Sequence, residues 1–186
     1  MQNIGEEIAG EYLKFVKGCE FIEYNLYTPD VQGEIDVIGI NIKEKALYVC
    51  EVAIHLTTGL QYVKNKAPDN VNRFLNKFRK NIPYAEKYFP DYEKHFMLWS
   101  PIVKNQGVNA KHNQLNDVNE IKSKLREEYG HDLELVINQT YQNAMDELRA
   151  VAAKETKELK SPVLRMLQIE EKLRRHLKKM GDTFLL

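Results

Sequence analysis

Residues 33–55 read Gly33-Glu34-Ile35-Asp36-Val37-Ile38-Gly39-Ile40-Asn41-Ile42-Lys43-Glu44-Lys45-Ala46-Leu47-Tyr48-Val49-Cys50-Glu51-Val52-Ala53-Ile54-His55. Two apolar runs, Ile35–Ile42 and Ala46–Ile54, flank the polar break Lys43-Glu44-Lys45. That is the pattern of a β-hairpin, although no Asn-Gly or Asp-Gly pair sets its turn type. Asp36 lies inside the first run and Glu51 inside the second. A carboxylate in an apolar strand is costly to bury unless a positive group pairs with it. Two such carboxylates on neighbouring strands repel, and a divalent cation removes that cost: Mg²⁺ is usually held by one or two carboxylates, with waters and substrate phosphate completing its shell. Side chains alternate along a strand, so Glu51, Ala53 and His55 share a face. The expected geometry is Asp36 beside Glu51, with positions 53 and 55 in the same row. The bland reading, edge-strand charges facing water, sits poorly with apolar neighbours on both sides.

The 186 residues suffice for one domain with a sizeable core, or for a domain plus a helical extension. A hydrophobic share of 43% and a charged share of 29% are those of a globular chain. No apolar run approaches the roughly 20 residues that cross a bilayer, and no secretory signal is expected. Two cysteines, Cys19 and Cys50, form neither a disulfide framework nor a zinc spacing, which points to a reducing cytoplasm. The net charge of zero conceals an asymmetry. Residues 1–53 carry four Lys/Arg against ten Asp/Glu; residues 64–94 carry eight against four; residues 154–180 carry nine against four. An acidic strand region followed by basic helices suits a metal site flanked by phosphate-binding surface, and equally suits ordinary solvated helix faces.

Outward from the hairpin, residues 4–17 carry Ile8, Ala9, Tyr12, Leu13 and Val16 at helical spacing, with Glu6 and Glu7 in the first turn and Gly18 as the stop. Phe21–Leu26 reads as a strand, and Tyr27–Gly33 as the loop into the hairpin. A helix is expected from about Asp69, with Val71, Phe74, Leu75 and Phe78 as its apolar face. Pro83 is expected to interrupt it, leaving a short helix Tyr84–Tyr88. Phe96–Val103 reads as a strand ending near Pro101, Asp117–Tyr129 as a helix stopped by Gly130, and Leu133–Val136 as a strand. Residues 141–179 read as helical, broken at Ser161-Pro162, a cap followed by proline at the first helical position. The order is helix, three strands, helix, strand, helix, strand, helices: an α/β fold with a mixed sheet covered by helices.

These residues resemble a known family. A helix opening Gly5-Glu6-Glu7-Ile8-Ala9, a strand, Gly33-Glu34-Ile35-Asp36, and then Glu51-Val52 resemble the PD-(D/E)XK nuclease superfamily, nearest to YraN-like putative endonucleases and Holliday-junction resolvases. The resemblance covers residues 5–55 well and 56–103 only through the order of elements. It implies an αβββαβ restriction-endonuclease-like core, 1–138; residues 139–186, read as a C-terminal helical extension, are not accounted for by it. It further implies Mg²⁺- or Mn²⁺-dependent hydrolysis of DNA phosphodiesters, with Asp36, Glu51 and the Val52 carbonyl as metal ligands and Glu6 near the metal. The family lysine two residues after Glu51 is replaced by Ala53, which can neither orient water nor stabilise charge. His55 as a neutral base, Gln61 or Lys64 are the candidates to replace it, since the lysine migrates within the superfamily; alternatively the site does not cut. Losing a general base or charge stabiliser commonly lowers a rate about 10²–10⁴-fold.

Lys64, Lys66, Arg73, Lys77, Arg79 and Lys80 are the candidate DNA contacts. Tyr62, Tyr84, Tyr88, Tyr92 and Trp99, interleaved with them or just beyond, read as stacking groups or, more commonly, as core. No phosphate loop, His-Glu-x-x-His or Ser/Cys nucleophile motif is present, and no small-molecule cofactor or membrane partner is expected. The alternatives to a nuclease are a catalytically silent nuclease fold that binds nucleic acid or protein, and an interaction protein working through its C-terminal helices. A homodimer is compatible with both-strand cutting.

Overall fold

The computed structural model describes residues 3–28, 33–107, 110 and 112–180. In chain order its elements are α1 (Ile4–Phe15), β1 (Phe21–Tyr27), β2 (Glu34–Asn41), β3 (Ala46–Val52), β4 (Val63–Lys64), β5 (Ala67–Pro68), α2 (Asn70–Tyr88), β6 (Glu93–Ser100), α3 (Gln114–Tyr129), β7 (Leu133–Ile137), α4 (Asn138–Lys154) and α5 (Pro162–Met180). Five strands form one sheet in the order β1-β2-β3-β6-β7. The first three pair antiparallel, whereas β6 runs parallel to β3 and β7 parallel to β6. The class is the expected α/β with a mixed sheet. Parallel neighbours require crossovers, supplied by α2 and α3, and crossovers of one hand moving in one direction put both helices on the same face.

The two faces hold separate cores. On the α2/α3 face, Leu47, Val49 and Ala53 pack with Phe74, Phe78, Ile82, Val118 and Ile121. On the other face, Cys50, Val52 and Trp99 pack with Ala9 and Leu13 of α1 and Tyr141 and Ala144 of α4. Every residue of β3 is buried, as the central strand must be when helices cover both sides. α5 lies further out, burying Val163, Leu164 and Leu167 against Leu148 and Ala152 of α4 and against Ile8 and Tyr12 of α1.

Local chemistry sets the element ends. Asn3 caps α1 in a capping box with Glu6, Gly130 closes α3 at φ 73°, and the Ser161 hydroxyl accepts the Leu164 N–H ahead of α5. The tight turn after β2 bends through Lys45 at φ 51°. Pro83 does not interrupt α2, contrary to the sequence expectation. Ile82 and Ala85 beside it are fully buried, and their packing outweighs a penalty of about 3 kcal/mol for an interior proline. The break before α5 is wider than Ser161-Pro162 alone, because α4 already ends at Lys154. Residues 29–32 of the expected 27–33 loop, and 181–186 of the expected C-terminal extension, lie outside the described residues. No helix among the described residues is long and apolar enough to cross a membrane.

Candidate functional site: a buried carboxylate pair bridged by Lys77

The β2/β3 register pairs Val37 with Cys50; one step further along the antiparallel ladder sets Asp36 opposite Glu51. Both side chains point to the α2 face, since Asp36 shares the parity of Ile38 and Glu51 that of Val49. Asp36 is 6% exposed and Glu51 fully buried. The Val52 N–H donates to Asp36 Oδ2 at 2.8 Å. From α2, the Lys77 ammonium donates to Asp36 Oδ1 at 2.8 Å and also to Glu51 Oε2. Asn81, one helical turn beyond Lys77, donates through Nδ2 to Glu51 Oε1 at 2.6 Å. The two acids therefore converge on one cation.

The charges do not cancel. Two carboxylates face one ammonium, so with both ionised one negative charge would be left uncompensated in a buried place. Burial first, and the Asp36 charge second, push the Glu51 carboxyl up to about 8, against the downward pull of Lys77. Burial pulls Lys77 down, but Glu51 and Asp36 together outweigh it and hold the amine above its ordinary range. Lys77 is thus a firm cation at neutral pH.

Lys77 and Asn81, the partners of this pair, line a cleft of about 560 Å³, with Asp36 and Glu51 behind them and outside the lining. Its lining includes Lys64, Arg73, Lys77 and Lys80, together with Asn76 and Asn81. Positions 73, 76, 77, 80 and 81 recur at three- and four-residue steps, so a single flank of α2 supplies one side of the cleft, with Glu34, Tyr62, Lys64 and Asp69 among the residues that complete it. Arg73 lies 4.0 Å from the ring centroid of Tyr62, forming one wall.

Other sequence-nominated residues are placed differently. β3 ends at Val52, so the alternation that would align His55 with Glu51 stops short of it; the His55 ring packs edge-on against Tyr62 at 4.8 Å. Gln61 lines a smaller cavity with His112 and Asp117. Glu6 belongs to the capping box: its carboxylate accepts from the Asn3 N–H at 3.0 Å and from Asn25 Nδ2 at 3.2 Å. It rides on α1, which packs on the face opposite to Asp36 and Glu51. Arg79 turns away from the cleft to Glu128, with Nε donating at 2.8 Å. Lys66 sits in the β4–β5 turn at φ 64°, outside the cleft lining. Among the aromatics, Trp99 is fully buried, Tyr62, Tyr84 and Tyr92 are half-buried against the core, and Tyr88 is exposed.

Lys77 was visible in the sequence only as one basic residue among several, and Asn81 was not singled out. A usable signal existed: Lys77 and Asn81 directly flank the apolar positions Phe78 and Ile82, at the border of the buried stripe of α2. Among the described residues, no group of three or more His, Cys, Asp or Glu side chains comes together as a metal cage. The donor set still fits Mg²⁺, which needs only one or two carboxylates beside water and phosphate, and such a cation would offset the burial and the Asp36 charge that raise Glu51. No family model, curated protein or solved structure matches the chain.

Proposed function

We propose that the chain is a Mg²⁺- or Mn²⁺-dependent endonuclease of the PD-(D/E)XK type acting on DNA, with Lys77 from α2 in the role of the lysine that Ala53 lacks. The observation that carries this reading is the convergence of Asp36 and Glu51 on Lys77, which itself lines a cleft with Lys64, Arg73 and Lys80. Asp36, Glu51 and the Val52 carbonyl would hold the cation; bound there, it supplies a Lewis acid and a more acidic water. Lys77 is protonated, so it acts as an electrostatic stabiliser of the phosphate and not as a proton acceptor. With a cation on the carboxylates, the Lys77 ammonium would be available to the scissile phosphate. Asn81 keeps the Glu51 carboxylate oriented. Lys64, Arg73 and Lys80 grip flanking phosphates.

A second reading has its own support. Lys77 already bridges both acids, which is how a nuclease fold that has given up its metal would satisfy them. Such a protein would bind nucleic acid through the same cleft without cutting. Incubation with supercoiled, linear, single-stranded and branched DNA in Mg²⁺ or Mn²⁺, beside Asp36→Ala and Lys77→Ala, separates the two. Cleavage abolished by both substitutions supports the enzyme. Metal-independent binding without cleavage supports the silent module, and absence of binding even at low salt removes both.

A further inference from the structure

α5 carries two apolar faces, and only one is used. Val163, Leu164, Leu167, Gln168 and Glu171 are buried toward α4 and α1. On the other side Met166, Ile169, Leu173, Leu177 and Met180 stand 60%, 58%, 53%, 54% and 39% exposed. At 100° per residue these five fall within an arc of roughly 80° and run about 21 Å along the helix. From residue 172 onward every position of α5 is exposed, so the distal half of the helix stands clear of the other described residues. A continuous stripe of this kind marks an interaction site.

The spacing names its occupant. Counted from Leu173, the other four residues lie four and seven positions away on either side. The stripe therefore reads the same in both directions, which is what a two-fold axis requires: an isologous contact uses one patch twice, with residue i meeting j and j meeting i. Charge sets the orientation. Before Leu173 the charges balance, Arg165 and Lys172 against Glu170 and the buried Glu171, whereas Arg174, Arg175, Lys178 and Lys179 follow it. Parallel alignment would lay two strongly basic ends side by side; antiparallel alignment separates them, setting the basic half of one helix against the charge-balanced half of the other.

We propose that α5 is a homodimerisation helix, pairing antiparallel with α5 of a second copy about a two-fold axis at Leu173. Leu173 meets its counterpart, Ile169 meets Leu177 and Met166 meets Met180. Glu170 of one copy lies on the same flank as Arg174 of the other, one helical step away. The inference stands independently of the nuclease reading, because none of these residues touches the cleft.

The test is sedimentation of the full chain, followed by cross-linking. A dimer forming in about the micromolar range is expected, and Leu173→Glu should weaken association by about tenfold or more, since it sets two carboxylates against each other at the axis. Leu173 is exposed, so the variant keeps its thermal unfolding profile; should it not, the milder Leu173→Ser serves. Under oxidation, a mixture of Ile169→Cys and Leu177→Cys chains should give a disulfide-linked heterodimer while neither variant alone links to itself; Cys19 and Cys50 are buried and do not interfere. A chain monomeric at about 100 µM, a dimer indifferent to both Leu173 substitutions, or Ile169→Cys linking to itself would each overturn the proposal. So would a monomer whose stripe binds anionic vesicles.

Discussion

Cys50 and Glu51 are neighbours on β3, both fully buried, and they point into opposite faces of the sheet. Cys50 sits among Val37, Trp99 and other apolar groups under α1 and α4. Burial drives its thiol well above the ordinary range, which leaves it unreactive. Glu51 is equally removed from water, yet Lys77, Asn81 and Asp36 surround it and a cleft opens beside it. Burial disfavours the charged form of each. Of these two neighbours, Glu51 has partners that make a charge tolerable, and two of them, Lys77 and Asn81, line a space large enough for a ligand. One face of the sheet is built for stability and the other accepts an electrostatic cost, which is the signature of a site.

The contrast breaks most sharply at Lys77. Lys77→Met should destabilise the fold by about 3–5 kcal/mol, because it leaves two buried carboxylates without a cation. On the nuclease reading it should also lower cleavage by about 10²–10⁴-fold. Across the sheet, Cys50→Ala removes only a small apolar group and should cost about 1–2 kcal/mol with cleavage unchanged. Urea unfolding and DNA cleavage on both variants check the pair; equal losses of stability would erase the distinction between the faces.

A pH series sharpens the same comparison. The folded protein holds the Glu51 proton up to about 8, against an ordinary value of 4.5. Between these values the native state binds more protons than the unfolded chain, so the stabilisation from Glu51 is complete below the lower value and is lost as pH rises through the upper. Unfolding free energy should therefore fall by a few kcal/mol from about pH 5 to pH 8. Glu51→Gln should flatten that slope, and Mg²⁺ should restore stability at pH 8 if the pair binds it.

Smaller effects are expected around the cleft. Arg73→Ala and Lys80→Ala should each weaken DNA binding several-fold and reduce the salt slope by about one. Arg79→Ala, whose side chain is engaged by Glu128, should do neither. Fluorescence anisotropy against salt distinguishes them.

The fold and half of the site were legible in the chain. Asp36 and Glu51 could be set opposite each other because a hairpin is a local structure, its register following from alternation and a short turn. Lys77 could not be assigned the same way, since its meeting with Glu51 spans 26 residues and depends on how α2 docks on the sheet. Helical periodicity tells which residues share a flank, not which flank meets which strand. Pro83 misled for a related reason: a local breaker was overridden by the burial of Ile82 and Ala85.

His55 provides the smallest and most discriminating change. Sequence alternation made it a stand-in for the missing lysine; the end of β3 at Val52 takes it out of the row of Glu51 and leaves it against Tyr62. His55→Ala should forfeit one edge-on ring contact, about 0.5–1.5 kcal/mol of stability. Cleavage, on the nuclease reading, should proceed at the parent rate, while Lys77→Met abolishes it. Tyr62 also carries Arg73 on the cleft wall, so a modest rise in KM with kcat unchanged is compatible with a lost support. A fall in kcat as large as that of Lys77→Met would return the general-base role to the imidazole and reduce Lys77 to a structural counter-ion, giving both faces of the sheet the same purely structural character apart from one histidine at the strand's end.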